Sequence, residues 1–181
     1  MDGARAAGAS AVPRRPLTAF RASRRGRVWW AAAALEEALR EAQRAYPSET
    51  GGLLLGWSGQ PGMVFISQVI GPGPGASHRA TAFSPDAAWQ EEQLAYAYEL
   101  AGRRLQYLGD WHTHPRGTTR LSRTDRATLR HIAEHPDARA ERPVMAVLAG
   151  GPLWQISVRQ QVHGRGGPRP LILEVWKSPS D

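Results

Sequence analysis

The apolar residues of the chain fall into short segments that predict both helices and strands. Residues 31–45 are rich in Ala, Leu, Glu and Arg, and Leu35 and Leu39 lie one turn apart, which predicts a helix. Pro47 ends this helix, because the residue before a proline resists the helical conformation. Apolar or alternating runs typical of strands occupy residues 28–30, 53–57, 63–70, 81–83, 105–114, 144–148, 153–161 and 171–176.

Two further helices are predicted from their starting residues. Ser84 as N-cap and Pro85 at the first helical position predict a helix that runs to about Gly102. A third helix is predicted at 122–134, and Gly150-Gly151 is typical of a hairpin turn between two strands. Because many strand segments follow one another directly, we expect a largely antiparallel sheet packed by helices.

Positive charge is concentrated at the N-terminus. The whole chain carries 23 basic and 16 acidic residues, a net charge of +7. Residues 1–27 hold seven arginines against one acid, a net of +6, which leaves 16 basic and 15 acidic residues, a net of +1, for 28–181. The segment 1–27 lacks apolar periodicity, so we predict a disordered basic tail there and one folded domain at 28–181. A near-neutral domain argues against a nucleic-acid partner and leaves only the tail as a candidate polyanion-binding arm.

Several classes of protein are excluded by what the sequence lacks. It contains no cysteine, which rules out disulfides, thiolate metal sites and a catalytic thiol. It has no apolar run long enough for a transmembrane helix and no N-terminal apolar segment typical of a secretory signal. No His-Glu-x-x-His pattern occurs, which excludes the common helical zinc-protease site. We therefore expect a cytoplasmic protein without a membrane partner.

The segment from Gly109 to Pro115 carries the strongest chemical signal. His112 and His114 are two residues apart in a predicted strand, so both side chains point to one face and can reach one ion. Asp125 lies in the first turn of a predicted helix, where it would complete three zinc ligands and leave a fourth position for water. Ser122 and Asp125 also fit a capping box, a structural role that would explain the same two residues.

The spacing of these residues resembles the JAMM signature of the JAB/MPN/Mov34 metalloprotease family: His-x-His, seven residues, Ser-x-x-Asp, with Pro115 directly after the second histidine. That family places a glutamate before an upstream apolar strand, and Glu49 occupies this position before 53–56. The likeness covers roughly 28–176. It implies an α/β (α+β), cytidine-deaminase-like JAB/MPN fold, in which helices flank a curved mixed sheet. Thr113 stands where serine is frequent in the family, and its side chain is expected to face away from the metal.

The resemblance also implies a role for each site residue. One Zn²⁺ per chain would be held by His112, His114 and Asp125. Glu49 would act as general base and then as general acid, and Ser122 would donate a hydrogen bond to the oxyanion. Asp110 shares the strand face of the two histidines, so it is a candidate for supporting a ligand or, equally, an ordinary polar strand residue.

Members of the family cut after the C-terminal glycine of ubiquitin or ubiquitin-like proteins. The segments 48–52, 71–74, 83–86 and 107–112 resemble a bacterial group of stand-alone deconjugases, encoded beside E1- and E2-like proteins in anti-phage operons that include CBASS. We therefore expect a zinc-dependent isopeptidase that releases a protein conjugated through its C-terminus to an amine. Two alternatives remain open: a processing peptidase for a sulfur-carrier ubiquitin-like protein, and a metal-free MPN scaffold.

Overall fold

The structure is a computed structural model that describes residues 26–60, 62–161 and 166–177. The strands are β1 (Arg27–Ala31), β2 (Gly51–Ser58), β3 (Met63–Ile70), β4 (Ser77–Arg79), β5 (Ala82–Ser84), β6 (Gln106–Pro115), β7 (Val144–Gly150), β8 (Trp154–Gln160), β9 (Arg169–Pro170) and β10 (Ile172–Trp176). The α-helices are α1 (Ala32–Ala45), α2 (Ala87–Leu100) and α3 (Arg123–Glu134). None of the helices in these three described stretches is long and apolar enough to cross a membrane.

Eight of the strands form one mixed sheet in the order β10-β1-β3-β2-β6-β7-β8-β9. β1 is parallel to both β3 and β10, and β6 is parallel to β7, whereas the other four neighbouring pairs are antiparallel. The mixed α/β (α+β) fold that the resemblance implied is confirmed, but the expectation of a largely antiparallel sheet is only partly correct. The reason is visible at β6 and β7, since the helix between them carries the chain back across the sheet and makes the two strands parallel.

The sheet curves until its two ends meet at the segment from Arg169 to Trp176. This segment pairs with β8 through β9 and with β1 through β10. Between them, the Leu171 N–H donates to the Val158 carbonyl at 2.9 Å. The predicted tail at 1–27 lies outside the described residues except for Gly26 and Arg27. Arg27 belongs to β1 and not to a tail, because its strand pairs on both sides and its guanidinium contacts the Glu174 carboxylate.

Helices α1 and α3 lie on opposite faces of this sheet. Three alanines of α1 are buried against one face: Ala34, Ala38 and Ala42. Leu35 and Leu39, the pair that predicted this helix, flank the alanine stripe and are only partly buried. The small alanines let the helix approach the sheet closely, and Trp111 of β6 is buried beneath it. α3 covers the other face, where Leu129 packs with alternate residues of β7.

The start of α2 differs from the prediction. Its N-cap is Asp86, not Ser84, and the helix ends at Leu100. One oxygen of the Asp86 carboxylate accepts from the Trp89 N–H at 3.2 Å, and the other accepts from the Gly75 N–H at 3.0 Å. Asp86 therefore caps the helix and ties it to the preceding Gly/Pro loop.

β6 contains a bulge that affects the site. Leu54 of β2 pairs with Gly109, and Leu55 pairs with Tyr107, so one residue of β6 is extra. Gly109 has a φ of +137°, and a Cβ there would lie 1.9 Å from the Val144 carbonyl oxygen. The bulge brings the side chains of Tyr107 and Asp110 to the same face, although they are three residues apart.

Candidate metal centre

Three predicted ligands come together at the end of β6. His112 and His114 project from the strand, and Asp125 reaches them from the first turn of α3. The two Nε2 atoms are 3.0 Å apart, Asp125 Oδ1 lies 3.4 Å from His112 Nε2, and Asp125 Oδ2 lies 3.5 Å from His114 Nε2. The three side chains are 15%, 17% and 12% exposed, so the cluster is shielded but remains open to water.

The spacing of these atoms suits a tetrahedral metal ion. A tetrahedral ion about 2.0–2.1 Å from its nitrogen and oxygen ligands keeps those ligands roughly 3.3–3.4 Å apart. The tautomer of His114 is also set for binding, because its Nδ1–H donates to the Thr118 carbonyl at 2.9 Å. Its Nε2 therefore keeps a lone pair directed at the cluster. The donor set fits a divalent metal that prefers nitrogen and oxygen ligands.

The charges within the cluster support one another. Burial by itself would raise the pKa of Asp125, but hydrogen bonds and charge from His112 and His114 outweigh burial and hold that pKa below its ordinary value. In its protonated form His114 also donates from Nε2 to Asp125, and this hydrogen bond raises the pKa of His114 above its ordinary value. Asp125 thus remains a carboxylate, which is the form that binds metal.

The structure also gives Ser122 and Asp125 the structural role that the sequence left open. The Ser122 N–H donates to Asp125 Oδ2 at 2.6 Å, and the Asp125 N–H donates to Ser122 Oγ at 3.1 Å. These two bonds form a capping box at the start of α3. The cap uses a lone pair of the Ser122 hydroxyl, so the hydroxyl proton remains able to donate to another acceptor.

Glu49 lies beside the cluster, two residues before Gly51, which pairs with His112 across the β2–β6 ladder. Burial raises the pKa of Glu49 above its ordinary value, although the nearby His114 and His112 oppose this rise. Gly51 permits the close approach of strands β2 and β6, because a Cβ at this position would lie 2.4 Å from the Trp111 carbonyl oxygen. A carboxylate with a raised pKa next to a metal-binding cluster is suited to accept and return a proton.

Asp110 lies on the same face as the histidines, and its hydrogen bond is to a tyrosine. The Tyr107 hydroxyl donates to Asp110 Oδ1 at 2.6 Å. Burial raises the pKa of Asp110, and burial together with Asp110 raises the pKa of Tyr107. The hydrogen bond from Tyr107 and the charge of His112 oppose the rise in the pKa of Asp110, so Asp110 lies close enough to His112 for the two to interact through space.

Two side chains near Glu49 have contacts that the sequence did not predict. Thr113 faces away from the histidine cluster, as expected, and its hydroxyl accepts from the Thr50 N–H at 2.9 Å. His78, to which the sequence assigned no role, donates through Nδ1 to the Glu49 carbonyl at 2.9 Å. No local pattern indicates this contact, because it depends on how β4 lies against the start of β2.

Known proteins resemble this chain over most of its length. A model of the family described as prokaryotic homologs of the JAB domain matches residues 31–162. The chain is 39% identical over 126 residues to a probable metalloprotease, y4qB, of Sinorhizobium fredii, covering 69% of this chain and 77% of that protein. It is 27% identical over 143 residues to a CD-NTase/cGAS isopeptidase of Enterobacter hormaechei, covering 78% of this chain and 77% of that protein.

A solved structure has a similar fold. The solution structure of protein DSY2949 from Desulfitobacterium hafniense superposes with a TM-score of 0.60. The match covers 83% of this chain and 94% of that protein, at 19% sequence identity. At this identity the likeness concerns the fold alone.

Proposed function

The chain belongs to the family of prokaryotic JAB-domain proteins and is a JAMM-type peptidase, and from this premise we propose that it is a zinc-dependent isopeptidase. Its proposed substrate is a ubiquitin-like or other protein conjugated through its C-terminus to an amine. Its proposed setting is a bacterial anti-phage conjugation system, with E1- and E2-like proteins of the same operon as partners. The observation that carries the proposal is the convergence of His112, His114 and Asp125 beside Glu49.

Zinc is the proposed metal because two imidazoles and one carboxylate are typical ligands of catalytic zinc. When bound, zinc supplies a Lewis acid and lowers the pKa of a coordinated water towards neutrality. His112, His114 and Asp125 hold the ion, and Asp125 contributes the negative charge of the ligand set. In the capping box the Ser122 N–H donates to Asp125 Oδ2 and so fixes the carboxylate of Asp125.

The proton steps are assigned to residues outside the ligand set. Glu49 removes a proton from the attacking water and later delivers it to the departing amine, acting as base and then as acid. Its raised pKa supports this double role. Ser122 directs its hydroxyl proton to the oxyanion that forms on the substrate carbonyl, and its part in the helix cap holds the hydroxyl in place.

The hairpin of β4 and β5 suits an extended substrate tail. It forms a separate two-stranded sheet, and the Arg79 carbonyl at the end of β4 accepts from the Glu49 N–H at 2.7 Å. An extended peptide that pairs along such a hairpin would carry its C-terminal bond to the site. The relative named as a CD-NTase/cGAS isopeptidase favours a conjugated protein over a precursor of a sulfur-carrier protein.

The proposal is tested with the full chain and two C-terminal fusions, one of a ubiquitin-like protein and one of a CD-NTase, each joined to a reporter. We expect the zinc-loaded protein to release at least one reporter. Glu49→Gln should abolish release and keep its zinc, whereas His112→Ala should lose both. Zinc is measured by elemental analysis of the purified protein.

The matched control is His131→Ala, which changes an exposed histidine of α3 that lies outside the cluster. It should keep both zinc and activity. Unchanged cleavage by Glu49→Gln would contradict the assignment of Glu49 as the base. Full zinc content in His112→Ala would contradict the assignment of the metal site.

A further inference from the structure

The main chain around Glu49 is held at four polar atoms. Two belong to Glu49 itself: its N–H donates to the Arg79 carbonyl at 2.7 Å, and its carbonyl accepts from His78 Nδ1 at 2.9 Å. The other two belong to Thr50, whose N–H donates to Thr113 Oγ1 at 2.9 Å and whose carbonyl accepts from the Thr113 N–H at 2.8 Å. Contacts from β4 and β6 therefore fix the two consecutive residues 49 and 50.

The Thr113 hydroxyl replaces a main-chain acceptor. The ladder between β2 and β6 ends at the pair of Gly51 and His112, and the next pair would be Thr50 and Thr113. The Thr113 N–H still donates to Thr50, but the return bond goes to the side-chain hydroxyl. This exchange lets the chain leave the sheet at Thr50 while its N–H, in a fully buried residue, keeps a partner.

A second anchor comes from α1, on the face of the sheet opposite to the metal cluster. The Thr50 hydroxyl donates to Glu41 Oε1 at 2.8 Å, and Glu41 in turn forms a bidentate ion pair with Arg44. Thr50 is therefore bonded through its main chain to β6 and through its side chain to α1. The freedom left to Glu49 is mainly the rotation of its own side chain.

His78 completes this arrangement on the outer side. A carbonyl oxygen can only accept a hydrogen bond, so the proton of the pair must be on His78 Nδ1. The imidazole also packs against Phe83 of β5, with ring centroids 5.5 Å apart. The hairpin thus presents a donor whose orientation is set by an aromatic contact.

We propose that His78 and Thr113 are positioning residues for the base, which act through the main chain of residues 49 and 50 and are not metal ligands. This inference rests on the proposed function of Glu49. Transfer of a proton requires the carboxylate within hydrogen-bond reach of the water, and a displacement of about 1 Å can cost on the order of a hundredfold in rate. Side chains that fix the main chain are therefore expected to affect turnover without changing the ligands.

Two pairs of variants separate this role from a general effect on folding. His78→Phe keeps an aromatic ring against Phe83 but has no donor, whereas His78→Asn restores an N–H near the position of Nδ1. Thr113→Val keeps the shape without the hydroxyl, whereas Thr113→Ser keeps the hydroxyl. In each pair, only the first variant should be impaired.

The first measurement needs no substrate. Residue-resolved amide exchange in the zinc-loaded full chain should show the Thr50 amide exchanging at least about tenfold faster in Thr113→Val than in Thr113→Ser. The Glu49 amide should respond similarly in His78→Phe compared with His78→Asn. Unchanged protection at both amides would overturn the inference.

The second measurement uses whichever fusion the wild-type protein cleaves. His78→Phe and Thr113→Val should lower kcat about tenfold with KM and zinc content unchanged, and the two conservative variants should recover most of the rate. If Thr113→Val does not fold, the His78 pair decides the outcome. The positioning role would be overturned if His78→Phe and Thr113→Val kept the wild-type kcat. It would also be overturned if both variants of each pair lost the same share of kcat.

The two proposals can fail separately. If Glu49→Gln still cleaves, the proposed base is wrong. If Glu49→Gln is inactive and both His78→Phe and Thr113→Val turn over at the wild-type rate, only the positioning role is wrong.

Discussion

Substitutions at Ser122 can separate the start of a helix from the proposed chemistry. The hydroxyl accepts from the Asp125 N–H as the N-cap of α3, and its proton is the proposed donor to the oxyanion. The two functions use different parts of the same group, a lone pair and a proton. Three variants test them independently: Ser122→Ala, Ser122→Gly and Ser122→Thr.

The expected effects on stability follow from the cap. Ser122→Ala removes the acceptor and should cost about 1 kcal/mol, whereas glycine at an N-cap costs only a few tenths of a kcal/mol and threonine remains a good cap. For a domain of this size, the alanine variant should melt about 2–4 °C below the wild type. Thermal unfolding of the metal-free proteins measures these differences.

The expected effects on catalysis follow a different order. Loss of one oxyanion donor lowers kcat by about 100- to 1,000-fold, and alanine and glycine lack the hydroxyl equally. Ser122→Ala and Ser122→Gly should therefore lose similar amounts of activity despite their different stabilities, and Ser122→Thr should keep most of it. If the loss of activity instead follows the loss of stability, so that alanine is far worse than glycine, Ser122 acts only through the helix.

Two further predictions concern the proposed metal ligand Asp125 and the hydrogen bond between Tyr107 and Asp110. At a free zinc concentration of about 100 times Kd, binding should stabilise the wild type by about 2.7 kcal/mol and raise its Tm by roughly 5–10 °C. Asp125→Asn should lose most of this rise in thermal unfolding and Glu49→Gln should keep it, so a full rise in Asp125→Asn would contradict the ligand assignment. Tyr107→Phe removes the 2.6 Å hydrogen bond to the partly buried Asp110 and should lower the free energy of unfolding by about 1–3 kcal/mol in chemical denaturation. Gln106 is an exposed neighbour of Tyr107, and Gln106→Ala should have little effect on the free energy of unfolding. An equal loss of stability in both variants would refute the importance of the bond between Tyr107 and Asp110.

The parts of the site that the sequence predicted are local. His112 and His114 follow from strand alternation, and the geometry of Ser122 and Asp125 follows from the capping box. These four residues lie within one strand, one loop and one helical turn, so their spacing limits how they can meet. Glu49 came only from the family resemblance, because nothing in its own segment indicates that it lies beside β6.

The errors arose where distant residues decide the structure. Ser84 is a reasonable N-cap by sequence, but Asp86 is chosen because it also binds Gly75 in the preceding loop. β4 and β9 were not predicted, since their sequences, Ser-His-Arg and Arg-Pro, contain no apolar alternation by which a strand could be recognised. The contact of His78 with Glu49 likewise depends on two segments that only the folded chain brings together.

The parallel pairings are the clearest case. Arg27 pairs with Ile172, across almost the whole length of the chain, and no turn joins the two strands. Strand patterns indicate that such segments are buried but not which neighbours they take. The mixed character of the sheet therefore had to come from the family resemblance or from the structure.

The segment from Arg169 to Trp176, which joins the two ends of the sheet, also affects the order in which the chain can fold during synthesis. Of the described strands, β10 is the last to leave the ribosome, yet it is one of the two neighbours of β1. Until then, both β1 and β8 present main-chain amides and carbonyls without their final partners, and such exposed edges favour pairing with other chains. Contacts of this sequence separation also slow folding. The sheet can therefore close only after β10 has left the ribosome, and the nascent protein is most exposed to aggregation before that point.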